Sequence, residues 1–333
     1  MTRTIALLLI TLILVPIISY FADAPLTALQ STTLHKLLII YVTTALACYA
    51  VAELTRNCSQ VDKLWSVMPV VYAWVMADAA GFTPRALLMA FLVTAWGVRL
   101  TYNFGRRGGY SWKFWEGEED YRWEVLRRNP VLAKPWAWRF FNLFFISLYQ
   151  MGLVLLFTLP MLLVIAAPGE VGVMDVALTA LFLLFLVFET IADQQQWDFQ
   201  KEKHRRLTAG EPLTGRYAEG FVREGLRGMV RHPNYAAEQA QWIVFYFFSV
   251  ASTGRWVNWS LCGAILLVLL FQGSSDFSEG ISTEKYPGYG EHKRRVPRFF
   301  PRFGRRGPPL LCPGPHCGTA CVPPSSVPSM MSS

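Results

Sequence analysis

The chain has 333 residues, 53% of them hydrophobic and 16% charged, with a formal net charge of +8. A soluble domain carries about a quarter charged residues, and the twelve Trp and 23 Phe deepen the apolar bias, so a water-soluble globular protein is excluded. Lipid leaves backbone polar groups no partners outside a helix or a closed barrel. The apolar runs are too long, and too poor in alternation, for barrel strands. The expected fold is all-α, a polytopic transmembrane helical bundle of about seven to nine spans.

In chain order, candidate spans fall at 4–22, 37–53, 64–80, 86–101, 140–166, 174–192, 239–253 and 257–273. Several are near the ~20 residues needed to cross a bilayer. The first reads as a span and not as a cleaved signal, because no small-x-small site ends it. Segment 239–253 is short and reads as tilted or half-inserted, while Pro160 is placed to kink or divide 140–166. With a cytoplasmic N-terminus, 27 of the 31 Lys and Arg lie in the cytoplasmic segments, Arg99 sits at the cytoplasmic end of its span, and the opposite side keeps Lys36, Arg85 and Arg255. That asymmetry obeys the positive-inside rule. Topology and contact with anionic membrane lipids thus account for the charge, without a nucleic-acid partner.

The expected organisation is an N-terminal span and loop over 1–35, a transmembrane domain over 36–306 and a disordered Pro/Gly/Ser/Cys-rich tail over 307–333. Cys48, Cys58 and Cys262 lie in or beside apolar segments and read as packing residues. Cys312, His316, Cys317 and Cys321 in the tail are spaced too irregularly for a zinc site, and no metal is expected.

Four groups of residues are candidates for chemistry. Arg231-His232-Pro233-Asn234-Tyr235, followed by Glu238 and Trp242, stands directly before an apolar run. Polar groups at a membrane boundary are costly and point to a ligand. Arg231 suits a phosphate or carboxylate, Asn234 offers both a donor and an acceptor, and Glu238 lies one helical turn after it. The alternative is an interfacial cap with Arg231 on lipid phosphate. A second group runs from Ser275 and Glu279 to Tyr286 and the basic stretch to Arg298, where the alternative is an amphipathic segment on the membrane surface. A third is Asp62 and Lys63 with Arg99, Tyr102 and Asn103. There, Asp62 pairing with Lys63 and Tyr102 acting as an interfacial anchor are the plain readings. The acidic run Glu116 to Asp120 reads as solvent-facing, paired with Arg106, Arg107 or Arg122. Residues 189–206, ETIADQQQWDFQKEKHRR, read as a helix leaving the membrane, with Asp193, Gln196, Gln200 and Lys201 at helical spacing. No nucleotide-binding glycine motif follows a strand.

Taken together, RHPNYAAEQAQW, KYPGYGEHKRRVPRFFP and VDKLWS…RLTYNFGRRGGY make residues 40 to 303 resemble the steroid 5-alpha-reductase-like superfamily. The resemblance implies a membrane enzyme of the endoplasmic reticulum, and the charge asymmetry puts both termini on the cytoplasmic side. It implies NADPH as cofactor and hydride transfer to a conjugated C=C bond of a lipophilic steroid, sterol or enoyl-lipid substrate. Carried over by motif, Asp193, Lys201, Arg231, Asn234, Tyr235, Glu238, Ser275, Glu279 and Tyr286 are cofactor-binding. Tyr102 resembles the tyrosine that binds a steroid ketone, and Asp62 stands for a glutamate partner. The chain departs from the family where FQGSSDFSEGIS lacks a basic stretch, so the 2′-phosphate needs another cation: Lys201, Arg227 or Arg294. RHPNY also occurs in methyltransferases, which leaves an S-adenosylmethionine-dependent lipid methyltransferase as an alternative, beside a non-catalytic lipid or sterol sensor.

Overall fold

The computed structural model describes residues 16–17, 19–21, 23–113, 117–167 and 169–301. The expected first span, 4–22, falls largely outside them, as does the tail from 307. Every regular element among the described residues is helical. Five stretches are long and apolar enough to cross a membrane: Ala28–Thr55, Pro84–Gly105, Pro135–Val164, Val173–Thr208 and Leu261–Lys285. The molecule is an integral membrane protein in contact with lipid along those helices.

The elements used below are α1 (Ala28–Thr55), α2 (Gln60–Trp65), α3 (Met68–Ala79), α4 (Pro84–Gly105), α5 (Tyr121–Arg127) and α6 (Pro135–Phe141). A π-helical stretch, Asn142–Tyr149, leads into α7 (Gln150–Thr158) and α8 (Pro160–Val164). Then follow α9 (Val173–Thr208), α10 (Leu226–Met229), α11 (Pro233–Thr253), α12 (Leu261–Lys285) and α13 (Tyr289–Arg295).

Local signals set several boundaries. Thr27 caps α1 in a reciprocal box, its side chain accepting from the Gln30 amide while its own amide donates to Gln30 Oε1 at 2.9 Å. Proline opens α4, α6, α8 and α11 at positions where a missing N–H costs nothing. Pro160 does divide its segment, with the break at Leu159.

Two spans differ from expectation. The 64–80 run is broken into α2 and α3, and the 12 residues of α3 reach only about 18 Å. The 239–253 run is the second part of a 21-residue helix that begins at Pro233. Its first half carries Asn234, Glu238, Gln239 and Gln241, which lowers its hydropathy below that of a lipid-facing span. The physical reason is position. Twelve of the 21 residues of α11 are buried, against eight of 36 in α9. α11 is a central helix sheltered by its neighbours, so lipid does not dictate its composition. α12 approaches α7 closely enough that a Cβ on Gly263 would come 2.3 Å from the Leu156 carbonyl oxygen, the close backbone packing small residues permit in membranes.

The bundle has a basic end and an opposite end. At the opposite end, Arg85 is bidentate to Asp175 at 2.8 and 2.9 Å, buried, with a further bond to the Glu170 carbonyl. Gln30 reaches the Leu162 carbonyl and Ser252 the Ala167 carbonyl, while Asp23 takes Arg255 and the Trp259 amide. Removing one partner of a buried pair strands the other charge. Asp175→Ala is therefore expected to lower unfolding stability in detergent by about 3–5 kcal/mol, and the double substitution Arg85→Met/Asp175→Leu to recover most of it.

Candidate functional site

Polar side chains from three helices meet beneath the basic end. Arg99 on α4 lies between two carboxylates of α9, paired with Glu189 and, at 2.6 Å, with Asp193. Asn103, one turn along α4, donates to Asp193 Oδ2 at 2.9 Å. Asn234 on α11 donates to Asp193 Oδ1 at 3.3 Å, and Gln241 donates to Glu189 Oε2 at 2.6 Å. The two carboxylates of α9 are thus the hub that joins α4 to α11.

On α11 the satisfaction is incomplete. Asn234 Oδ1, Glu238 Oε1, Gln241 Oε1 and Trp242 Nε1 are buried without a hydrogen-bond partner. They lie at i, i+4, i+7 and i+8, one face of the helix. Trp96 Nε1 and Arg99 Nε on α4 are unpaired as well, and the Trp96 and Trp242 rings meet edge to face at 4.9 Å. Buried polar atoms are nearly always paired, so a concentration of exceptions marks a place where another molecule supplies the partners.

Arginines rim this face. Arg107 stands 3.8 Å from Asp193. Arg227 donates to the Arg231 carbonyl at 3.0 Å, its Nε is buried and unpaired, and among the described residues no carboxylate pairs with it. Burial pushes its guanidinium down from the ordinary value, against the pull of Asp193. Arg122, in the first turn of α5, grips Asp120 at 2.8 Å and lies 4.0 Å from Asp62. Trp123 donates to Asp62 Oδ2 at 3.1 Å. Burial, with Asp120 adding to it, pushes the Asp62 carboxyl above the ordinary range. Burial acts on Asp120 in the same direction but is outweighed by Arg122, which holds that carboxyl low.

A second cluster closes the basic end. Glu279 on α12, 0% exposed, receives Arg231 Nε at 2.8 Å and lies 3.0 Å from His232 Nε2. Lys293 and Arg298 lie 3.5 and 3.4 Å away. Arg231 also donates to the carbonyls of Lys293 and Val296, and its amide to that of Pro297. The segment after α12 is thereby strapped across the start of α11.

The expected site residues therefore separate into groups. Asp193, Asn234 and Glu238 come together in the cluster, and Tyr235 flanks it with its ring stacked on His232 at 5.3 Å. Arg231 and Glu279 come together too, but they hold each other and the strap. The Ser275 hydroxyl is spent on the Phe271 carbonyl at 2.7 Å. Tyr286 accepts from Lys203 at 2.9 Å, so the lysine engaged there is Lys203, while Lys201 is exposed on the outer side of α9. Gly220, at φ +79°, admits the Tyr286 ring, since a Cβ would sit 2.7 Å from it. Asp62 pairs with Trp123 and Arg122. Tyr102 is 69% exposed with Arg106 over its ring, turned away from the cluster. The acidic run does not simply face solvent. Asp120 pairs with Arg122 as expected, while Glu119 takes Arg127 and the Cys58 amide. Glu189 and Gln241 join the cluster without any motif to mark them. The available signal was a carboxylate and a carboxamide within apolar spans, where each needs a partner.

Fold and site define a helical integral membrane protein with a partly unsatisfied polar and ionic cluster buried beneath its basic end. The chain belongs to the family described as "Protein of unknown function (DUF1295)", whose family model matches residues 48–296 and so spans the whole cluster. It is 36% identical over 267 residues to an uncharacterized protein of Schizosaccharomyces pombe, covering 77% of this chain and 76% of that protein. No solved structure matches.

His292, a buried residue of the strap itself near Arg223, Arg231 and Arg227, is lowered to about 4 from an ordinary 6.5, with burial the largest cause. A depressed folded-state value means the unfolded chain takes the proton first. The stability this neutral imidazole supports is complete above pH 6.5 and is lost as pH falls towards about 4. Unfolding midpoints of His292→Phe should lack that component of the acid dependence. An unaltered pH profile would refute the assignment.

Proposed function

We propose that this protein is an NADPH-dependent reductase of a conjugated C=C bond in a lipophilic substrate, within the steroid 5-alpha-reductase-like superfamily. The observation that carries the reading is the unpaired face of α11. Asn234 Oδ1, Gln241 Oε1 and Glu238 Oε1 are acceptors awaiting donors, as a carboxamide NH2 and ribose hydroxyls provide. Arg227, with Arg107 beside it, is the cation suited to the 2′-phosphate, whereas Lys201 and Arg294 are exposed. The donor set thus fits a phosphorylated dinucleotide.

A bound NADPH would supply a hydride, two electrons and one hydrogen, to the β-carbon of an enone, leaving negative charge on the carbonyl oxygen. The chain's own residues do the rest. Asn234 and Glu238 orient the reduced ring, and the Trp96 and Trp242 rings keep water from it. Asp62, whose burial favours its protonated form, is the acid suited to return a proton to the α-carbon. In this reading the basic end is cytoplasmic, where NADPH is available, and the membrane is that of the endoplasmic reticulum.

Isothermal titration of the purified protein with NADPH, NADH and S-adenosylmethionine tests this. NADPH binding is expected, with Arg227→Ala weakening it by about 10–100-fold, the loss of one charge-assisted contact, and changing NADH much less. Binding of S-adenosylmethionine without NADPH would replace the reading with methyl transfer.

A further inference from the structure

Three of the basic side chains belong to the end of the bundle away from the polar cluster: Lys36, Arg85 and Arg255. Two of them are paired, Arg85 with Asp175 at 2.8 Å and Arg255 with Asp23. Lys36 on α1 is exposed, and among the described residues no carboxylate forms an ion pair with it. It lines an open groove of about 800 Å³ between α1 and α3. Apart from Lys36 and Asp78 the walls are apolar, with Ile39 and Ile40 from α1 and Val71 and Val75 from α3. Lys36, Ile39 and Ile40 recur at i, i+3 and i+4, so one face of α1 is given to the groove.

Asp78 is the other charge in the groove. It is exposed and, among the described residues, also without an ion-pair partner. It stands in the last turn of α3, which carries no basic residue. That turn is the negative end of the helix dipole, where a carboxylate is disfavoured and a cation is welcome. The wall between the two charges is held in place from behind. The Trp74 indole donates to Thr94 Oγ1 of α4 at 3.0 Å, and its ring meets Phe91 edge to face at 5.4 Å. The chain just before α1 runs elsewhere, since Tyr20 packs on Trp259 at 6.4 Å and Asp23 accepts from the Trp259 amide at 2.8 Å. An apolar groove that ends in a cation and an anion is complementary to a zwitterionic lipid. A primary ammonium donates charge-assisted hydrogen bonds to a carboxylate, which a quaternary ammonium has no N–H to make.

We infer that this groove seats one bilayer phospholipid of the phosphatidylethanolamine class. Lys36 takes its phosphate, Asp78 takes its primary ammonium, and an acyl chain lies along the aliphatic wall. The seat shares no residue with the polar cluster and does not depend on the reductase reading.

Native mass spectrometry of the full chain, released from detergent after titration with dioleoyl phosphatidylethanolamine, phosphatidylcholine or phosphatidylglycerol, tests this. The ethanolamine lipid should bind about 10-fold more tightly than either of the others, the gain of one charge-assisted hydrogen bond. Asp78→Asn should bring it down to the level of the choline lipid and leave the choline lipid unchanged. Lys36→Gln should weaken all three by about 10-fold, because all three carry the phosphate. Both side chains are exposed, so neither substitution should move the thermal midpoint in detergent. Glycerophosphoethanolamine, the same headgroup without acyl chains, should not displace the lipid. Equal binding of the three lipids, or an ethanolamine preference that survives Asp78→Asn, overturns the inference. Unaltered binding in Lys36→Gln, or displacement by the bare headgroup, overturns it too. A lipid-free dimer would give the groove to a second copy of the chain and overturn it as well.

Discussion

The bundle depends on one cation. Arg99 sits among apolar helices between Glu189 and Asp193, and without it two carboxylates of one helix would face each other away from water. Charge buried in this way is tolerable only when paired. Asn103, Asn234 and Gln241 add hydrogen bonds to the two carboxylates, which fixes α4, α9 and α11 in one relative arrangement. The central position of α11 follows, because a helix with this many carboxamides is stable in a membrane only where other helices supply its partners.

From that arrangement the site inherits its character. Asn234 and Gln241 spend their NH2 groups on the carboxylates of α9, while their carbonyl oxygens and Glu238 Oε1 are left over. Electrostatics around them is graded: carboxylates below, arginines at the rim, and the Asp62–Arg122–Asp120 group to one side. A negatively charged ligand approaching the basic end meets cations first and finds hydrogen-bonding groups deeper. On the proposed reductase reading, this order suits a phosphate-bearing cofactor with its ring innermost.

Much of this was legible in the sequence. Composition and backbone satisfaction gave an all-helical membrane protein, and RHPNY with Glu238 marked the site because helical spacing puts Asn234 and Glu238 on one face. The length of α9 was legible too: 36 residues make about 54 Å, well beyond the bilayer core, with polar spacing along its outer part. What hydropathy could not reveal was that α11 is central, since a sheltered polar helix and a half-inserted one have the same average. Nor could motif matching separate Arg231 and Glu279, which hold the fold closed, from Asn234 and Glu238, which do not hold each other. That distinction lies in who pairs with whom across 48 residues of chain. The exposure of Tyr102 was hidden for a related reason: a position in a motif does not say which side of a helix faces the core.

The strap across the basic end has a consequence for how the protein is made. Arg231 is synthesised well before Glu279 and the carbonyls of Lys293, Val296 and Pro297 that it will bind. Until those residues leave the ribosome, its guanidinium and the first turn of α11 stay wet, and the cluster beneath is open. The basic end is therefore completed only once residues 279 to 298 are in place. A truncated product ending before residue 279 would carry most of the bundle but not its closure, and would leave Arg231 without the carboxylate and carbonyls that hold it in the finished molecule.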